Sequence, residues 1–384
     1  MSVLEGFHVA IIIGLTALVV QIWANRRTLP KLGARPEPGE PSQRISVLIP
    51  ARDEATKIAS CVRSWVAQDY PDFEVLVYDD DSADGTGALA AAAGGDAVRV
   101  VRGGHLPRGW RGKPWSCHRL RAEAGGAVLV FADADVTAAP NTLAATSAAL
   151  AAARCDLLSA LPRHTARPGL LRGLVGIQNW AILAGVPMWM AAVKRRRTFA
   201  AVNGQYLVMR AAVYDVSGGF AAVRASVAED ADLGRLLASR GRAVLLADAS
   251  SFLQCEPYGS LRDAWQGNVR NLVPVFFGSA GLLLGAMAVL ATLYLAPVGL
   301  LAANALFALP RSLFLWLPLA EIALALLGRW LADEQFGVAG LATLLHPFAI
   351  AGLCAMSVGS VLQHRVRRCV VWRGRRYPAG AGGD

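Results

Sequence analysis

The sequence predicts an α/β domain with a mainly parallel sheet, held between apolar helices that cross a membrane. Three observations predict it. The chain of 384 residues is 54% hydrophobic and only 17% charged, and its apolar residues concentrate towards the two ends. From Arg44 onward, β-rich apolar runs alternate with stretches of helical spacing. Several of those runs stop abruptly at carboxylates, as "AVLVFADADV" (127–136) does at Asp133 and Asp135.

The first element is Phe7–Ala24, which is long enough to cross a bilayer. Asn25, Arg26, Arg27, Lys31 and Arg35 follow it, whereas only Glu5 and His8 precede or open it. Positive charge marks the cytoplasmic side, so the N-terminus is expected outside and the central domain inside. A signal peptide is the alternative. It lacks a basic n-region, and Ile22-Trp23-Ala24 is a poor cleavage site. Residues 1–28 therefore read as a transmembrane helix. Residues 29–43, rich in Pro and Gly, read as a linker.

Residues 44–271 read as a cytoplasmic domain. Strands are expected at 44–51, 73–80, 97–101, 127–133 and 156–162. Helices are expected at Glu54–Ala67, Ala83–Ala93, Lys113–Ala124 and Pro140–Ala153, the last opening with proline. Continuous apolar strands alternating with helices make a sheet covered on both faces. Ligands of such sheets sit beyond the carboxyl ends of the strands.

Inside that domain, Gly169–Val193 is a further apolar stretch that ends in Lys194, Arg195, Arg196 and Arg197. It reads as a helix lying in the membrane interface, with Trp180 and Trp189 at headgroup depth. A buried core helix followed by a solvated charge run is the plainer alternative. Residues 272–362 read as transmembrane helices, with segments Pro274–Leu309, Ser312–Leu331 and Val338–Leu362. Residues 363–384 form a basic tail, expected in the cytoplasm. A cytoplasmic tail requires an even number of crossings after the domain. A break of Pro274–Leu309 into two helices near Pro297 is the favoured way to meet that; a segment lying on or re-entering the membrane is the other.

The net charge is +10. The cations cluster beside the apolar segments, so anionic lipid explains them better than nucleic acid does, and no nucleic-acid partner is expected. The six cysteines are scattered with no CxxC pair, and read as reduced packing thiols.

The carboxylates at the strand ends carry the chemistry. Asp133 and Asp135 are oxygen ligands suited to Mg²⁺ or Mn²⁺, and such an ion can hold a diphosphate. A turn or helix cap before Pro140 would use them equally well. The second strand ends in Asp79, Asp80 and Asp81, followed by Ser82, Asp84 and Thr86. One of Asp79 and Asp80 suits a base N–H, while Ser82, Asp84 and Thr86 suit a turn and cap. The first strand ends in Pro50-Ala51-Arg52-Asp53-Glu54.

Taken in order, these motifs resemble a membrane-bound family-2 glycosyltransferase with the GT-A fold. "VLIPARDEA" (47–55) resembles the family's opening strand, with Asp53 where Asn is more usual. "VYDDDSADGT" (77–86) resembles its second-strand motif, and "FADADV" (131–136) its Asp-x-Asp motif. "LPRGWRGKPWSC" (106–117) resembles a Gly-Trp-x-Gly-Lys-x-Trp segment of a membrane-bound branch. "GQYLVMR" (204–210) with "GGF" (218–220) resembles the acceptor-side segment, and "VAEDADLGRLLASRG" (227–241) the Glu-Asp motif with its helix. "VVWRGRRY" (370–377) resembles the tail of bacterial enzymes linked to carotenoid or hopanoid modification. One element departs: "WQGNVRNL" (265–272) has an extra spacer and no Trp after Arg270, unlike the Gln-x-x-Arg-Trp of processive members.

The resemblance implies a nucleotide-diphosphosugar donor, a uridine one in the first instance, and a membrane lipid acceptor. It implies donor contacts from Pro50, Asp53, Asp79, Asp80, Lys113, Asp133 and Arg270. It places the metal on Asp133 and Asp135, with Asp135 the stronger ligand. It makes Asp230 the base, with Glu229 beside it, and sets Gln205, Tyr206, Trp115 and Gln266 on the acceptor side. Trp115 and Tyr206 read equally as core aromatics. His105, His118 and His164 show no metal spacing. A single displacement at the anomeric carbon inverts configuration. The acceptor expected is a carotenoid, a hopanoid or a glycerolipid. The alternatives are transfer to polyprenyl phosphate, and a transporter with a nucleotide-binding regulatory domain. Against the latter, ionisable residues within the spans are few, namely Arg311, Glu321 and Arg329, with Glu321 expected to pair with Arg329 or a lipid head.

Overall fold

The computed structural model describes residues 2–33, 43–166, 170–190, 201–307, 309–338, 340–366, 369–372 and 375–378. The chain divides into two compact units. One comprises Leu29–His164, Met190–Glu256 and Val371–Asp384; the other comprises Met1–Thr28, Thr165–Trp189 and Pro257–Val370.

The first is the sheet unit. Its strands are β1 (Ile45–Ala51), β2 (Phe73–Asp79), β3 (Val98–Arg102), β4 (Val128–Ala132), β5 (Val136–Ala138), β6 (Leu157–Leu161), β7 (Arg163–His164), β8 (Tyr206–Arg210), β9 (Val244–Asp248) and β10 (Leu253–Cys255). A seven-stranded sheet runs β3-β2-β1-β4-β8-β6-β9, and β5-β10-β7 form a small second sheet. A last strand pair, β11 (Cys369–Trp372) and β12 (Arg375–Pro378), stands apart from both sheets.

The five expected strands lie where the apolar runs placed them. Their side chains alternate between two cores. Ile45, Val47 and Ile49 of β1 join Ile58, Cys61 and Trp65 of helix Ile58–Val66 on one face. Leu48 joins Leu129, Phe131, Leu120 and Leu233 on the other. Each such side chain contributes about 1.5–3 kcal/mol when fully buried.

The sheet is not wholly parallel. β8 runs antiparallel to both β4 and β6, with Ala132 opposite Tyr206. This reversal sets the residues just before β8 beside those just after β4, and the Asp133 N–H donates to the Gln205 carbonyl at 3.1 Å. Three helices also start later than expected: one at Thr142, so that Pro140 does not open it, and two, at Ile58 and Thr86, beside the loops after β1 and β2. Polar side chains compete for the backbone there. The Glu54 N–H donates to Thr86 Oγ1 at 2.8 Å, and the Ala55 N–H to Asp84 Oδ2 at 2.9 Å.

In the helical unit, three helices among the described residues are long and apolar enough to cross a membrane by length and composition: Val3–Thr28, Ser312–Gln335 and His346–Val366. Leu261–Val275 and Ala280–Tyr294 form a further apolar pair bent by 114°. The segment around Pro297 does break: Ala280–Tyr294 ends and the shorter Ala296–Phe307 begins. Val3–Thr28 and Ser312–Gln335 run in the same direction. His8 Nδ1 meets Glu321 Oε1 at 2.8 Å near their starts, and Arg26 meets Glu334 at 2.6 Å near their ends.

Two expectations are corrected here. Glu321 pairs with His8, not with Arg329 or a lipid head; Arg329 is bound by Asp333 at 2.8 Å, one helical turn away. Trp180 is not an interfacial side chain. It is 1% exposed and packs edge-on against Tyr294 and His346. The stretch that carries it folds as Leu170–Val175 and Ile177–Gly185, tied to the N-terminal helix by Asn25 Nδ2, which donates to the Leu183 and Val186 carbonyls at 2.7 Å. Lys194–Arg197 lie outside the described residues.

Cys61, Cys117, Cys155, Cys255 and Cys354 are reduced thiols, and the first four are buried.

Candidate active site

The site is built at the carboxyl ends of β1, β2 and β4, where the reversed β8 adds its leading residues. β4 is buried along its whole length, then gives way to Asp133, Ala134 and Asp135. The Val136 N–H donates to the Asp133 carbonyl at 3.0 Å, which turns the chain into β5.

Lys113 stands in the first turn of helix Gly112–Glu123. Its ammonium lies 2.6 Å from Asp133 Oδ1, 3.4 Å from Glu229 Oε1 and 3.4 Å from the Gly204 carbonyl. One cation thus joins both acidic motifs. Asp133 and Glu229, far apart in the sequence, meet through it. Those charges outweigh burial and hold the Lys113 ammonium well above its usual range.

Glu229 and Asp230 open helix Glu229–Ser239, where the helix dipole favours anions. The Ala231 N–H donates to Asp230 Oδ1 at 2.8 Å. Gly204 makes room for this carboxylate: a Cβ at 204 would stand 2.7 Å from Asp230 Oδ2. Burial pushes both carboxyls above their ordinary range, each further raised by other acids nearby and opposed by Lys113.

Asp135 is placed differently. Burial, then the Asp133 charge, pushes it up to about 6. Lys57 is its nearest cation at 4.0 Å, and that ammonium already donates to the Glu256 carbonyl at 2.6 Å. Asp135 Oδ1 is buried with no hydrogen-bond partner. An orphaned carboxylate oxygen next to a second carboxylate fits a hard divalent cation. Among the described residues, no three His, Cys, Asp or Glu side chains converge as a cage. The pair would supply two ligand residues to such an ion and leave the other positions to a ligand or water.

The nucleotide-side residues separate into two kinds. Asp53 holds a positive φ of 51° and accepts the Ala83 N–H at 2.9 Å, while its own N–H donates to Ser82 Oγ at 3.0 Å. It knits the loops after β1 and β2. Asp79 Oδ1 accepts the Ser82 N–H at 3.1 Å. Asp80 is 1% exposed, and its N–H donates to the Ala51 carbonyl at 2.9 Å. Pro50 lies within β1 opposite Tyr78.

Two acceptor-side expectations, Tyr206 and Gln205, are corrected. Tyr206 is 0% exposed, stacked on Trp65 at 6.0 Å with its hydroxyl 2.7 Å from Thr146 Oγ1, so it is a core residue and no sugar platform. Gln205 is buried too. Its Oε1 meets His164 Nε2 at 2.8 Å and accepts from Asn203 Nδ2 at 3.1 Å, and its Nε2 meets Cys255 Sγ at 2.9 Å. Cys255 also hydrogen-bonds Asp135, so Gln205 braces the back of that carboxylate. Trp115 is half-buried in a cluster with Trp110 at 5.0 Å and His118 at 5.8 Å. Gln266 and Arg270 lie on Leu261–Val275 of the helical unit, outside the sheet unit that groups the others.

Lys57, Arg52, His164 and Cys255 were not singled out from the sequence as site residues. Lys57 and Cys255 each reach Asp135 across a long stretch of chain, which no local spacing reveals.

A model of glycosyl transferase family 21 matches residues 6–384. The chain belongs to that family. The motifs above resemble family 2, and the family shown is 21. This glycosyltransferase is similar to 4,4'-diaponeurosporenoate glycosyltransferase of Staphylococcus haemolyticus, 33% identical over 123 residues, which are 32% of this chain and 32% of the relative. It is 25% identical to the Staphylococcus aureus enzyme of that name over 227 residues, 58% of this chain and 59% of the relative. The match thus spans less than two thirds of either relative's length. Among solved structures, a mannosyltransferase of Pyrobaculum calidifontis, in complex with GDP-Man and Mn²⁺, superposes with a TM-score of 0.54 at 17% identity, covering 95% of this chain and 100% of that one. That likeness shows the fold, which is GT-A-like.

Proposed function

We propose that this glycosyltransferase moves a sugar from a nucleotide-diphosphate donor, a UDP-sugar, to a hydroxyl of a membrane lipid, with inversion at the anomeric carbon. The observation that carries the reading is Lys113, which joins Asp133 of one acidic pair to Glu229 of the other. A leaving-group site and a base site lie side by side.

Asp230 takes the acceptor proton as the hydroxyl oxygen attacks the anomeric carbon. Its raised basicity suits that work, and Glu229 beside it helps to keep it raised. The bond to the nucleoside diphosphate breaks on the opposite face. Lys113 lends positive charge to the departing diphosphate. Asp133 and Asp135 would hold Mg²⁺ or Mn²⁺, which when bound neutralises charge on that leaving group. Asp80 accepts from the nucleobase, and Asp53 and Asp79 shape the loops around it.

The apolar helices support a lipid acceptor in the class of a carotenoid, a hopanoid or a glycerolipid. The relatives' printed name denotes a carotenoid carboxylate, and this supports a polyene acceptor. Transfer to a carboxylate or to polyprenyl phosphate removes no proton, so Asp230 would then matter little.

The sheet unit faces the cytoplasm and the chain resides in the cell membrane. Arg26, Arg27 and the basic tail support that side. Because Val3–Thr28 and Ser312–Gln335 run in the same direction, the chain must cross back once between them. Ala280–Tyr294 and Ala296–Phe307 in series are the apolar helices available.

The test is transfer by the detergent-purified protein from a panel of nucleotide sugars to a membrane-lipid extract, with and without Mn²⁺. A metal-dependent glycolipid that disappears in Asp230→Asn supports the reading. Transfer that persists in the variant moves the acceptor to a phosphate or carboxylate. No turnover or binding of any nucleotide sugar removes the donor site.

A further inference from the structure

The tail motif "VVWRGRRY" takes no part in the chemistry above, yet its Arg375 reaches the carboxylate after β2. Arg375 opens β12, and its Nη1 donates to Asp80 Oδ2, 295 positions away in the sequence. Both side chains are withdrawn from water, at 19% and 1% exposure.

Asp80 is clamped on its other sides. Arg52 donates to its carbonyl, and the Arg52 guanidinium lies 4.0 Å from Asp80 Oδ2. The Gly103 N–H donates to the Asp79 carbonyl at 2.7 Å, and a Cβ at 103 would stand 3.0 Å from Asp80 Cα. After all this, Asp80 Oδ1 remains buried without a hydrogen-bond partner. Leaving a buried acceptor unpaired is costly, so such an oxygen is matched to a donor from a ligand.

We propose that Arg375 is a donor-positioning residue: it fixes the Asp80 carboxylate so that Oδ1 stays free to accept an N–H from the nucleobase. This rests on the reading that the nucleoside lies at the ends of β1 and β2. It makes the last strand of the chain part of the donor site.

Charge supports the same role. Burial raises Asp80, and Arg375 followed by Arg52 opposes it. Asp81 pushes it up as well, and the Tyr78 phenol lies close on β2. Without Arg375 the carboxyl protonates more readily, and a neutral carboxyl accepts more weakly. Loss of Arg375 therefore weakens the nucleobase contact most at low pH.

The experiment is calorimetric titration of UDP and of GDP, each with Mn²⁺, into the full-length protein in detergent between about pH 5.5 and 8.5, a window wide enough to cross a raised carboxyl. Wild type is compared with Arg375→Ala and Arg375→Lys. The expected result is at least tenfold weaker nucleotide binding by Arg375→Ala, with the acid limb of the binding curve moved to higher pH. Arg375→Lys restores the limb and part of the affinity. The donor KM rises in Arg375→Ala while kcat at saturating donor stays within about twofold, the pattern of lost uniform binding. If Arg375→Ala unfolds, Arg375→Gln against Arg375→Lys gives the same contrast of charge at one shape class. Wild-type affinity and pH profile in Arg375→Ala, with only Tm lowered, overturn the inference and leave the proposed function intact. Tighter binding by Arg375→Ala also overturns it and makes Arg375 a blocking residue. Failure of wild type to bind either nucleotide removes the donor site itself, and both readings with it.

Discussion

Two sets of carboxylates gather around the ends of one sheet, and they differ in what their oxygens have to bind. After β2, Asp84 accepts N–H groups from Ala55 and Thr86, and Asp53 accepts one from Ala83. Slight burial would raise Asp84, but the hydrogen bonds from Thr86 and Ala55 prevail and hold it below its ordinary value. After β4 and before helix Glu229–Ser239, the carboxylates of Asp135, Glu229 and Asp230 are raised by burial, and Asp135 Oδ1 has no partner at all. The lesson is that acidity at a strand end does not mark a ligand site. A carboxylate satisfied by nearby amides builds a turn; one left raised and unsatisfied is available for chemistry.

The largest effect that can break this contrast is on the base. Asp230→Asn is expected to lower the transfer rate by about 10²–10⁴-fold with the donor KM little changed. A rate near wild type would place Asp230 with the structural acids.

Next is Asp135→Asn. Mn²⁺ should raise the Tm of the wild type and not of the variant, and Mn²⁺ affinity should fall by more than the about 10–100-fold that a supporting residue costs. Retained Mn²⁺ stabilisation would end the claim that the orphaned oxygen is a metal ligand.

The pH dependence sharpens the same point. A carboxyl raised by the fold stabilises the protein at low pH, and that contribution is lost as pH rises through the folded value, about 6 for Asp135. The Mn²⁺-induced rise in Tm should therefore grow between pH 5 and 7.5, as the cation replaces the proton. Transfer should fall on acidification with a midpoint above the usual carboxylate range, because Asp230 must be unprotonated to act as base.

The satisfied carboxylates, Asp84 among them, should respond in stability alone. Asp84→Ala removes three turn hydrogen bonds, from the Ala55 and Thr86 N–H groups and the Thr86 hydroxyl, and is expected to cost about 1 kcal/mol or more in denaturant unfolding with nucleotide affinity unchanged. Tyr206→Phe removes the bond to Thr146 and should cost at most about the same, with the acceptor KM unmoved. A large rise in acceptor KM would return Tyr206 to the acceptor side.

The sequence by itself determined the architecture and named the acidic residues that the fold sets at the strand ends. Apolar runs of strand length with helical stretches between them specify a covered α/β sheet, because both faces of such strands must be buried. The position of Asp133, Asp135 and Asp80 at strand ends follows from the same pattern. Apolar length likewise determined Val3–Thr28 as a candidate span. All of these are local properties, and local spacing is what a sequence displays.

Only the tertiary structure decided which side chains meet. The reversed β8 buries Tyr206 and turns Gln205 to the back of Asp135, and the antiparallel pairing of distant segments leaves no periodic trace. The same holds for Lys113 joining Asp133 to Glu229, for His8 against Glu321, and for Arg375 on Asp80. Each pairs residues separated by many positions, and long-range charge contacts are set by packing, which no short window of sequence contains.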